Sequence, residues 1–515
     1  MRPLLAVIII NIFFSSYLYA ENRYSSIQKN AAYITIQFEK IAIPDSLTIF
    51  YWDTFYSFYR EFVTPYKKWI IKSNSDSLFK FELPLNSPLG YFSLECGETS
   101  KENPRCILKH YLVATGDSVL ITFYKSSVPK YPAIPNDRYY SYLLGENLTH
   151  RIMVTGPGSE KYNCRYAIDT TILYIPSMGR WVLDKEGNYL ANNYYELAQS
   201  KALKILEAKK DLLKPIEYST LLADISSKLG EDKITKICYH FWDFEASKKT
   251  NERSVSEFKR KCRSFILNTN QDILIPQDAG CISKAYAKFA ILRQKALASE
   301  GDNIIQSFQS KYAEDLLDKI LTVYLIDFYH KLQNAEEQWN QIFSIVQSNK
   351  YRELLLGIYN NQGKGKLAFD FALSDTSGKT VYLHDFKGKV VFIDFWYTGC
   401  GVCAIFNQKT IVHVKNLFKH NSEVVFVSIS IDTDKNKWIK SINLGKYTTP
   451  DVINLYTNGE GMNHPIIRHY NIIGYPHQLL VDKQGKIYRS NNLQVEPDEL
   501  AKIISEALLE QQLAK

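Results

Sequence analysis

The order of hydrophobic and polar residues divides the chain into a strand-like part, a helical part and a part in which both patterns alternate. In residues 24–127 apolar and polar residues alternate: Ile34, Ile36 and Phe38 are the apolar positions of one such run. Similar short runs recur between polar turns. Such a period of two is typical of half-buried strands. Several short strands in succession predict an all-β, sandwich-like domain. Residues 128–193 are rich in proline and tyrosine and predict an irregular connection.

The period becomes helical in residues 194–359. Ala198, Ala202 and Leu206 fall on one face of such a helix. The same spacing recurs without a fixed-period repeat, so the sequence predicts a helical middle region and leaves a solenoid open. The polar, glycine-containing residues 360–366 lack the spacing of a phosphate-binding loop and predict a solvated linker.

Strands and helices alternate in residues 366–515. Residues 390–395 and 424–431 are continuous apolar runs, and residues 401–418 between them have helical spacing. Residues 482–485 have the composition of a hairpin turn. This alternation predicts an α/β domain with a central sheet.

Residues 1–20 have the layout of a secretory signal peptide. Arg2 precedes an apolar run over residues 4–14, and Ala20 supplies a small residue before a polar stretch. Because the run is shorter than the roughly 20 residues that span a bilayer, cleavage after Ala20 is favoured over an uncleaved anchor. The predicted location is therefore the periplasm or cell envelope, an oxidising compartment in which disulfides persist.

Composition excludes several classes of protein. The chain has 62 Lys and Arg against 54 Asp and Glu, a net charge of +8 that is not clustered as in a nucleic-acid binder. Its 7 Trp, 36 Tyr and 27 Phe are too many for a disordered chain. Since the only long apolar run is at the N-terminus, a multi-spanning membrane protein is excluded as well.

The candidate chemistry lies at Cys400-Gly-Val-Cys403, directly after an apolar strand and at the start of a helix. Unpaired N–H groups and the helix dipole favour a thiolate at such a position. Cys400 is therefore predicted to be a solvent-facing nucleophile, and Cys403 the more buried thiol that resolves a mixed disulfide. A static disulfide or half of a zinc site are the alternatives. Zinc needs four converging ligands, and helical spacing carries His413 and His420 away from the cysteines.

Two further residues belong to the predicted site. Asp394 lies in the apolar run six residues before Cys400, so burial should raise its pKa and let it carry the proton of Cys403. The other interpretation is a hydrogen-bonded buried acid without a catalytic role. Pro476 stands at the start of a predicted strand, which suggests a cis bond after Tyr475 and a backbone exposed to an extended substrate.

These motifs together resemble the thioredoxin fold. Residues 391–403, the pair Tyr475-Pro476 and residues 480–486 are similar, more narrowly, to the exported TlpA/ResA-like thiol-disulfide oxidoreductases of bacteria. The resemblance covers residues 366–515. It implies an enzyme that reduces protein disulfides, with a membrane-embedded electron donor and no bound cofactor or metal other than the redox-active cysteine pair.

The resemblance also implies residue roles. Cys400 attacks, Cys403 resolves and Asp394 carries the proton, while Pro476 is the cis-proline. Trp396, Tyr475 and Pro476 are predicted to contact the substrate.

The chain departs from the family pattern near the cysteines. Gly399 replaces a tryptophan, Val402 a proline, Phe406 a glutamate and Gln408 a helix-kinking proline. Because local charge and helix geometry tune thiol pKa values, the redox potential and a role in cytochrome maturation do not follow from the resemblance.

Two other functions are weighed against this one. A peroxiredoxin-like peroxidase would have threonine three residues before its cysteine, where the chain has Tyr397. An envelope binding or assembly protein with an auxiliary thioredoxin-like module stays open, because most of the chain lies outside that module. Among the remaining cysteines, Cys96 and Cys106 bracket a polar loop and predict a hairpin disulfide, while the others are predicted to be buried thiols.

Overall fold

A computed structural model describes most of the chain as two compact units that divide between Ser307 and Phe308. The described residues are 30–40, 43–54, 66–72, 78–96, 106–125, 150–173, 182–183, 189–190, 194–246, 252–267, 269, 273–298, 302–332, 334–472 and 474–510. The predicted signal peptide, residues 1–20, lies outside them.

Two four-stranded sheets and a two-stranded ribbon occur in the described part of the first unit. Their orders are β4-β1-β7-β8, β3-β2-β5-β6 and β9-β10. Pairing is antiparallel except between β1 and β7, which run parallel. The strands are β1 (Ala31–Glu39), β2 (Ser46–Trp52), β3 (Lys67–Lys72), β4 (Leu78–Pro84), β5 (Leu89–Cys96), β6 (Cys106–Ala114), β7 (Ser118–Lys125), β8 (His150–Thr155), β9 (Val182–Leu183) and β10 (Tyr189–Leu190).

The two larger sheets share one hydrophobic core. Ile34 and Ile36 of β1 are fully buried, as the alternating pattern predicts, and they belong to the same cluster as Ile49 and Phe92 of the other sheet. The prediction of an all-β, sandwich-like region holds only in part, because Tyr162, a helical residue, also belongs to this core.

The prediction of an irregular connection over residues 128–193 is wrong for its centre. This stretch supplies β8 to the first sheet, followed by helix α1 (Ser159–Leu173). The strand contributes two core side chains, Ile152 and Val154, too few to stand out as a periodic pattern. Most of the rest of the stretch lies outside the described residues.

The other helices of the first unit follow the predicted helical spacing. Ala198, Ala202 and Leu206 are fully buried on one face, as predicted. Pro215 occupies the first position of the next long helix, where its missing N–H costs no hydrogen bond. The helices are α2 (Tyr194–Glu207), α3 (Pro215–Ala246), α4 (Glu252–Leu267), α5 (Gln277–Ile282), α6 (Tyr286–Leu297) and, across the division between units, α7 (Ile304–Gln309).

The second unit begins earlier than the predicted redox domain, residues 366–515. Its first helices, α8 (Glu314–Phe328), α9 (Ala335–Ile345) and α10 (Asn349–Gln362), come from the stretch predicted to form a separate helical region. The buried Gln362, at the end of α10, is tied to the second unit by two hydrogen bonds. Its Nε2 donates to the Tyr470 carbonyl at 2.8 Å, and its backbone carbonyl accepts from Ser490 Oγ at 2.6 Å. Residues 360–366 are therefore not a wholly solvated linker.

A seven-stranded mixed sheet forms the centre of the second unit, as the alternation of strands and helices predicts. Its order is β12-β11-β15-β14-β13-β16-β17. All seven residues of β13 are buried, and this strand runs parallel to β14 and antiparallel to β16. The strands are β11 (Ala372–Asp375), β12 (Thr380–Tyr382), β13 (Val390–Trp396), β14 (Val424–Ser430), β15 (Ile453–Tyr456), β16 (His477–Val481) and β17 (Ile487–Arg489).

Helices and hydrophobic clusters flank this sheet. Phe392 of β13 shares one cluster with Leu500 and Ile504 of the last helix, while the neighbouring Ile393 belongs to the other. None of the helices in the described ranges combines the length and hydropathy needed to cross a bilayer. The remaining helices are α11 (Gly401–Phe406), a π-helical turn (Asn407–Ile411), α12 (Val412–Leu417), α13 (Lys435–Leu444), α14 (Pro465–His469) and α15 (Pro497–Leu509).

Candidate active site

The two cysteines lie where β13 ends and α11 begins, as predicted. Cys400 is the N-cap residue of α11, and its Sγ accepts a hydrogen bond from the backbone N–H of Cys403 at 3.1 Å. The two residues form a disulfide with their Cα atoms 5.3 Å apart. This N–H group, which the Cys400 sulfur caps, is therefore placed to stabilise a thiolate on Cys400 when the bond is reduced.

Cys400 is less accessible than the sequence predicts. Only 4% of its surface is exposed, against 1% for Cys403. The prediction of a solvent-facing sulfur is wrong for this disulfide form, because the bonded pair packs against Trp438 and other aromatic side chains. The order of burial agrees with the prediction, and the neighbouring Tyr397 and Val402 are exposed at 39% and 60%.

The helix after the cysteines replaces the family's proline kink with a π-helical turn over Asn407–Ile411. Such turns occur often at functional sites. Asn407 is buried, and its Nδ2 donates to the Lys446 carbonyl at 3.2 Å. Phe406, at the position of the family's glutamate, packs into the core instead of presenting a charge.

Asp394 is a buried carboxyl group in the middle of β13. Its Oδ1 accepts from Nε2 of Gln478 on β16 at 2.7 Å. Burial raises the pKa of Asp394 to about 8, and the hydrogen bond from Gln478 opposes that rise. Because alternate strand residues face the same side, Asp394 lies on the face of the sheet occupied by Trp396, which packs against the disulfide.

A small pocket adjoins this carboxyl group. It is lined by Asp394, Asn407, Lys415 and Tyr447, among others, and its volume of about 20 Å³ is enough for one water molecule. The pocket therefore leaves room for one water molecule beside the buried carboxyl group.

Tyr475 packs against the cluster that contains the disulfide, and Pro476 follows it. Their peptide bond is cis, and the Pro476 carbonyl accepts from Gln494 Nε2 at 2.5 Å. The half-buried Tyr475 packs against the cysteine cluster and meets the Tyr397 ring edge-on at 5.6 Å. Burial raises the pKa of Tyr475 well above its usual value.

Trp396 lies in the same cluster as the cysteine pair, in the interior rather than at the surface. It is fully buried, so it cannot contact a substrate in this structure. Its indole N–H donates to Ser428 Oγ at 2.6 Å, and its ring stacks on Tyr447 at 5.2 Å. Trp396 therefore supports the disulfide from the protein interior.

Sequence reasoning missed the polar partners of the site. Gln478, Gln494 and Tyr447 contact Asp394, Pro476 and Trp396 respectively. A polar residue inside a predicted apolar strand, as at Gln478, is the signal that could have identified the first of them.

The remaining cysteines and the possibility of a metal site are compared with the predictions next. Cys96 and Cys106 end β5 and begin β6, but the side chains needed for the predicted hairpin disulfide lie outside the described part of the structure. Among the other cysteines, Cys164 and Cys262 are buried as predicted, whereas Cys238 is exposed and Cys281 is partly exposed. In the described ranges, no three or more His, Cys, Asp or Glu are grouped to hold a metal ion.

Known proteins resemble the second unit. Residues 388–487 match the family model described as Thioredoxin-like. The thiol-disulfide oxidoreductase ResA of Bacillus cereus is 31% identical over 137 residues, which are 26% of this chain and 74% of that protein. The ResA protein of Bacillus subtilis is 28% identical over 134 residues, 24% of this chain and 65% of its own length.

Part of the chain is also similar to solved structures. The thioredoxin domain of a thiol-disulfide oxidoreductase from Bacteroides vulgatus is 28% identical to this chain. That match covers 28% of this chain and 96% of the solved one, with a TM-score of 0.25.

Proposed function

The chain belongs, through its C-terminal domain, to the thioredoxin-like thiol-disulfide oxidoreductases, and we propose that it is an exported enzyme that reduces protein disulfides through Cys400 and Cys403. The observation that carries the proposal is the disulfide at the N-terminus of α11, where Cys400 Sγ accepts a hydrogen bond from the Cys403 N–H and exposed residues lie on either side. The signal-peptide pattern of residues 1–20 supports export.

The reaction begins with the reduced cysteine pair. The Cys400 thiolate, stabilised by the helix N-terminus, attacks one sulfur of a substrate disulfide. A mixed disulfide forms between Cys400 and that sulfur. The other substrate sulfur leaves as a thiolate and takes up a proton.

Cys403 completes the reaction. Its thiol gives a proton to the Asp394 carboxylate, and the resulting thiolate attacks Cys400 Sγ. The Cys400–Cys403 disulfide forms, the second substrate sulfur leaves, and the substrate has received two electrons. Because the pKa of Asp394 is about 8, a fraction of this group is ionised near neutral pH and can accept the proton. The scheme needs no bound cofactor, since the dithiol carries both electrons.

Exposed apolar side chains support a protein or peptide substrate. Val402 and Ile405 are 60% and 55% exposed on the helix that carries the cysteines, and Tyr397 precedes it. In this proposal the substrate backbone lies along Tyr475 and Pro476, opposite these side chains. A membrane-embedded donor of electrons would restore the dithiol, as the family resemblance implies.

Insulin reduction with dithiothreitol as electron donor tests the proposal. We expect Cys400→Ser to lose at least about a hundredfold in rate, because the attacking sulfur is absent. Cys238→Ser, which removes an exposed free thiol of the first unit, is the matched control and should keep the wild-type rate.

Equal turnover by wild type and Cys400→Ser would rule the proposal out. Inactivity of both proteins would favour the alternative, an envelope binding or assembly protein with an auxiliary thioredoxin-like module. Cys403→Ser should strand the mixed disulfide, and the partner that it captures would identify the substrate.

A further inference from the structure

Asp432 lies beside the loop that leads into Cys400. It follows β14 by two residues, and β14 runs parallel to β13 with Ser430 opposite Trp396. The carboxyl ends of both strands therefore meet at the same edge of the sheet. Asp432 is 5% exposed there, and none of the sequence motifs of the site includes it.

The Asp432 carboxylate accepts hydrogen bonds from both the backbone N–H and the hydroxyl of Thr398. Its Oδ1 accepts from the Thr398 backbone N–H at 3.1 Å, and its Oδ2 accepts from the Thr398 hydroxyl at 2.7 Å. The Ser430 hydroxyl also donates to Oδ2, at 2.9 Å. Since the Thr398 proton is used in this way, the Ser441 hydroxyl at 2.7 Å must donate to Thr398 Oγ1.

Adjacent groups fix the rest of the loop. The Gly399 N–H donates to the Tyr447 hydroxyl at 3.0 Å, and the Cys400 N–H donates to the Tyr397 carbonyl at 3.2 Å. Gly399 has a φ of +107°, a conformation that side-chain-bearing residues rarely adopt. The family's tryptophan would be strained at this position, which gives a structural reason for the glycine.

We propose that Asp432 is a positioning residue that, through Thr398, holds Cys400 in its N-cap geometry and so sets the reactivity of the thiol. The inference rests on the proposed function, because it concerns the same cysteine pair. A buried carboxylate is well suited to this role, since hydrogen bonds to a charged acceptor are stronger than those between neutral groups. Lys437 Nζ lies 3.7 Å from Oδ1 and supplies a nearby positive charge.

Asp432→Asn is the direct test, measured on the reduced full-length protein. The amide has a similar shape but places an NH₂ group opposite hydroxyl donors, so Thr398 loses an acceptor. A less well-positioned Cys400 gains less from the Cys403 N–H. We expect alkylation of Cys400 by iodoacetamide at pH 7 to slow about tenfold. The equilibrium with glutathione should shift about tenfold toward the Cys400–Cys403 disulfide, or about 30 mV.

Asp434→Asn is the matched control. Asp434 lies in the same loop, but its carboxylate caps α13 through the Asn436 and Lys437 N–H groups and does not hold Thr398. Asparagine keeps an oxygen that can cap α13, so this variant should leave thermal stability, alkylation and the glutathione equilibrium nearly unchanged. If Asp432→Asn behaves in the same way, Asp432 is only structural and the inference is wrong.

Thr398→Val removes the hydroxyl contact from the other side and keeps Asp432 in place. It should reproduce the slower alkylation, and it replaces Asp432→Asn if that protein does not fold. Wild-type speed in Thr398→Val would contradict the inference. Alkylation needs no protein substrate, so inactivity in the insulin assay would refute the proposed function without affecting this test.

Discussion

The first unit places buried carboxyl groups beside buried cations, whereas Asp394, in the sheet of the second unit, has a neutral partner. Lys161 Nζ lies 2.5 Å from Asp117 Oδ1 and 3.2 Å from Glu217 Oε1, and these three side chains are almost fully buried. Asp394 of β13 is as deeply buried, but its hydrogen-bond partner is the neutral amide of Gln478. No ion pair of the described residues includes Asp394.

The difference shows in how these groups titrate. Burial raises the pKa of both Asp169 in α1 and Asp394 in β13. In α1 the Arg165 guanidinium, 2.8 Å from Asp169, opposes that rise, whereas Asp394 has only an amide and reaches about 8. A buried carboxylate beside a cation is stabilised in its charged form, whereas Asp394, with only a neutral partner, has a pKa near neutral pH that suits a group that moves a proton.

The largest expected effect is on the pH dependence of stability, measured with Asp394→Asn. The folded pKa of about 8 lies above the unfolded value of about 4. Between these values the unfolded chain has lost the proton and the folded chain keeps it, so the stability of the wild type falls as pH rises. The variant stays neutral, and its advantage in free energy of unfolding should grow from near zero at pH 4 to as much as about 5 kcal/mol at pH 9.

The difference in free energy of unfolding between Asp394→Asn and the wild type is measured by urea unfolding, with hydrogen exchange of the β13 amides as the readout. Asp169→Asn is the matched control in the first unit, and it should be destabilising at pH 9 because it leaves the Arg165 guanidinium buried without its carboxylate. A difference between Asp394→Asn and wild type that does not vary with pH would show that Asp394 is not protonated in the folded protein.

The second expected effect tests the paired side of the comparison. Arg165→Met removes the buried guanidinium, leaves Asp169 without its ion pair, and should destabilise the first unit by about 4 kcal/mol. Lys210→Met breaks an exposed pair with Glu207 and should leave the stability of the first unit almost unchanged. Hydrogen exchange of α1 amides at pH 7 reports both values, and equal costs would show that burial does not distinguish these pairs.

The same contrast marks what the sequence could and could not predict. The strand that holds Asp394 and the helix that Cys400 opens follow from local hydrophobic patterns, so both were predicted from sequence. Partners far apart in the chain leave no such pattern: Lys161 is 44 residues from Asp117, and Gln478 is 84 residues from Asp394. The inclusion of α8–α10 in the second unit was missed for the same reason, because their periodicity does not say which domain they pack against.

The smallest expected effect concerns the rate at which Cys403 resolves the mixed disulfide. Above pH 8 the wild-type Asp394 carboxylate can accept the Cys403 proton and the asparagine of Asp394→Asn cannot, so the variant should be slower by about a hundredfold. At pH 6 Asp394 is protonated, and the two rates should converge.

Stopped-flow tryptophan fluorescence after Cys400 reacts with a peptide disulfide follows this step. Asp375→Asn, which changes a partly exposed carboxylate at the end of β11, should match the wild type throughout. Identical rates for wild type and Asp394→Asn at pH 9 would remove Asp394 from the reaction and reduce it to a buried acid with a structural role.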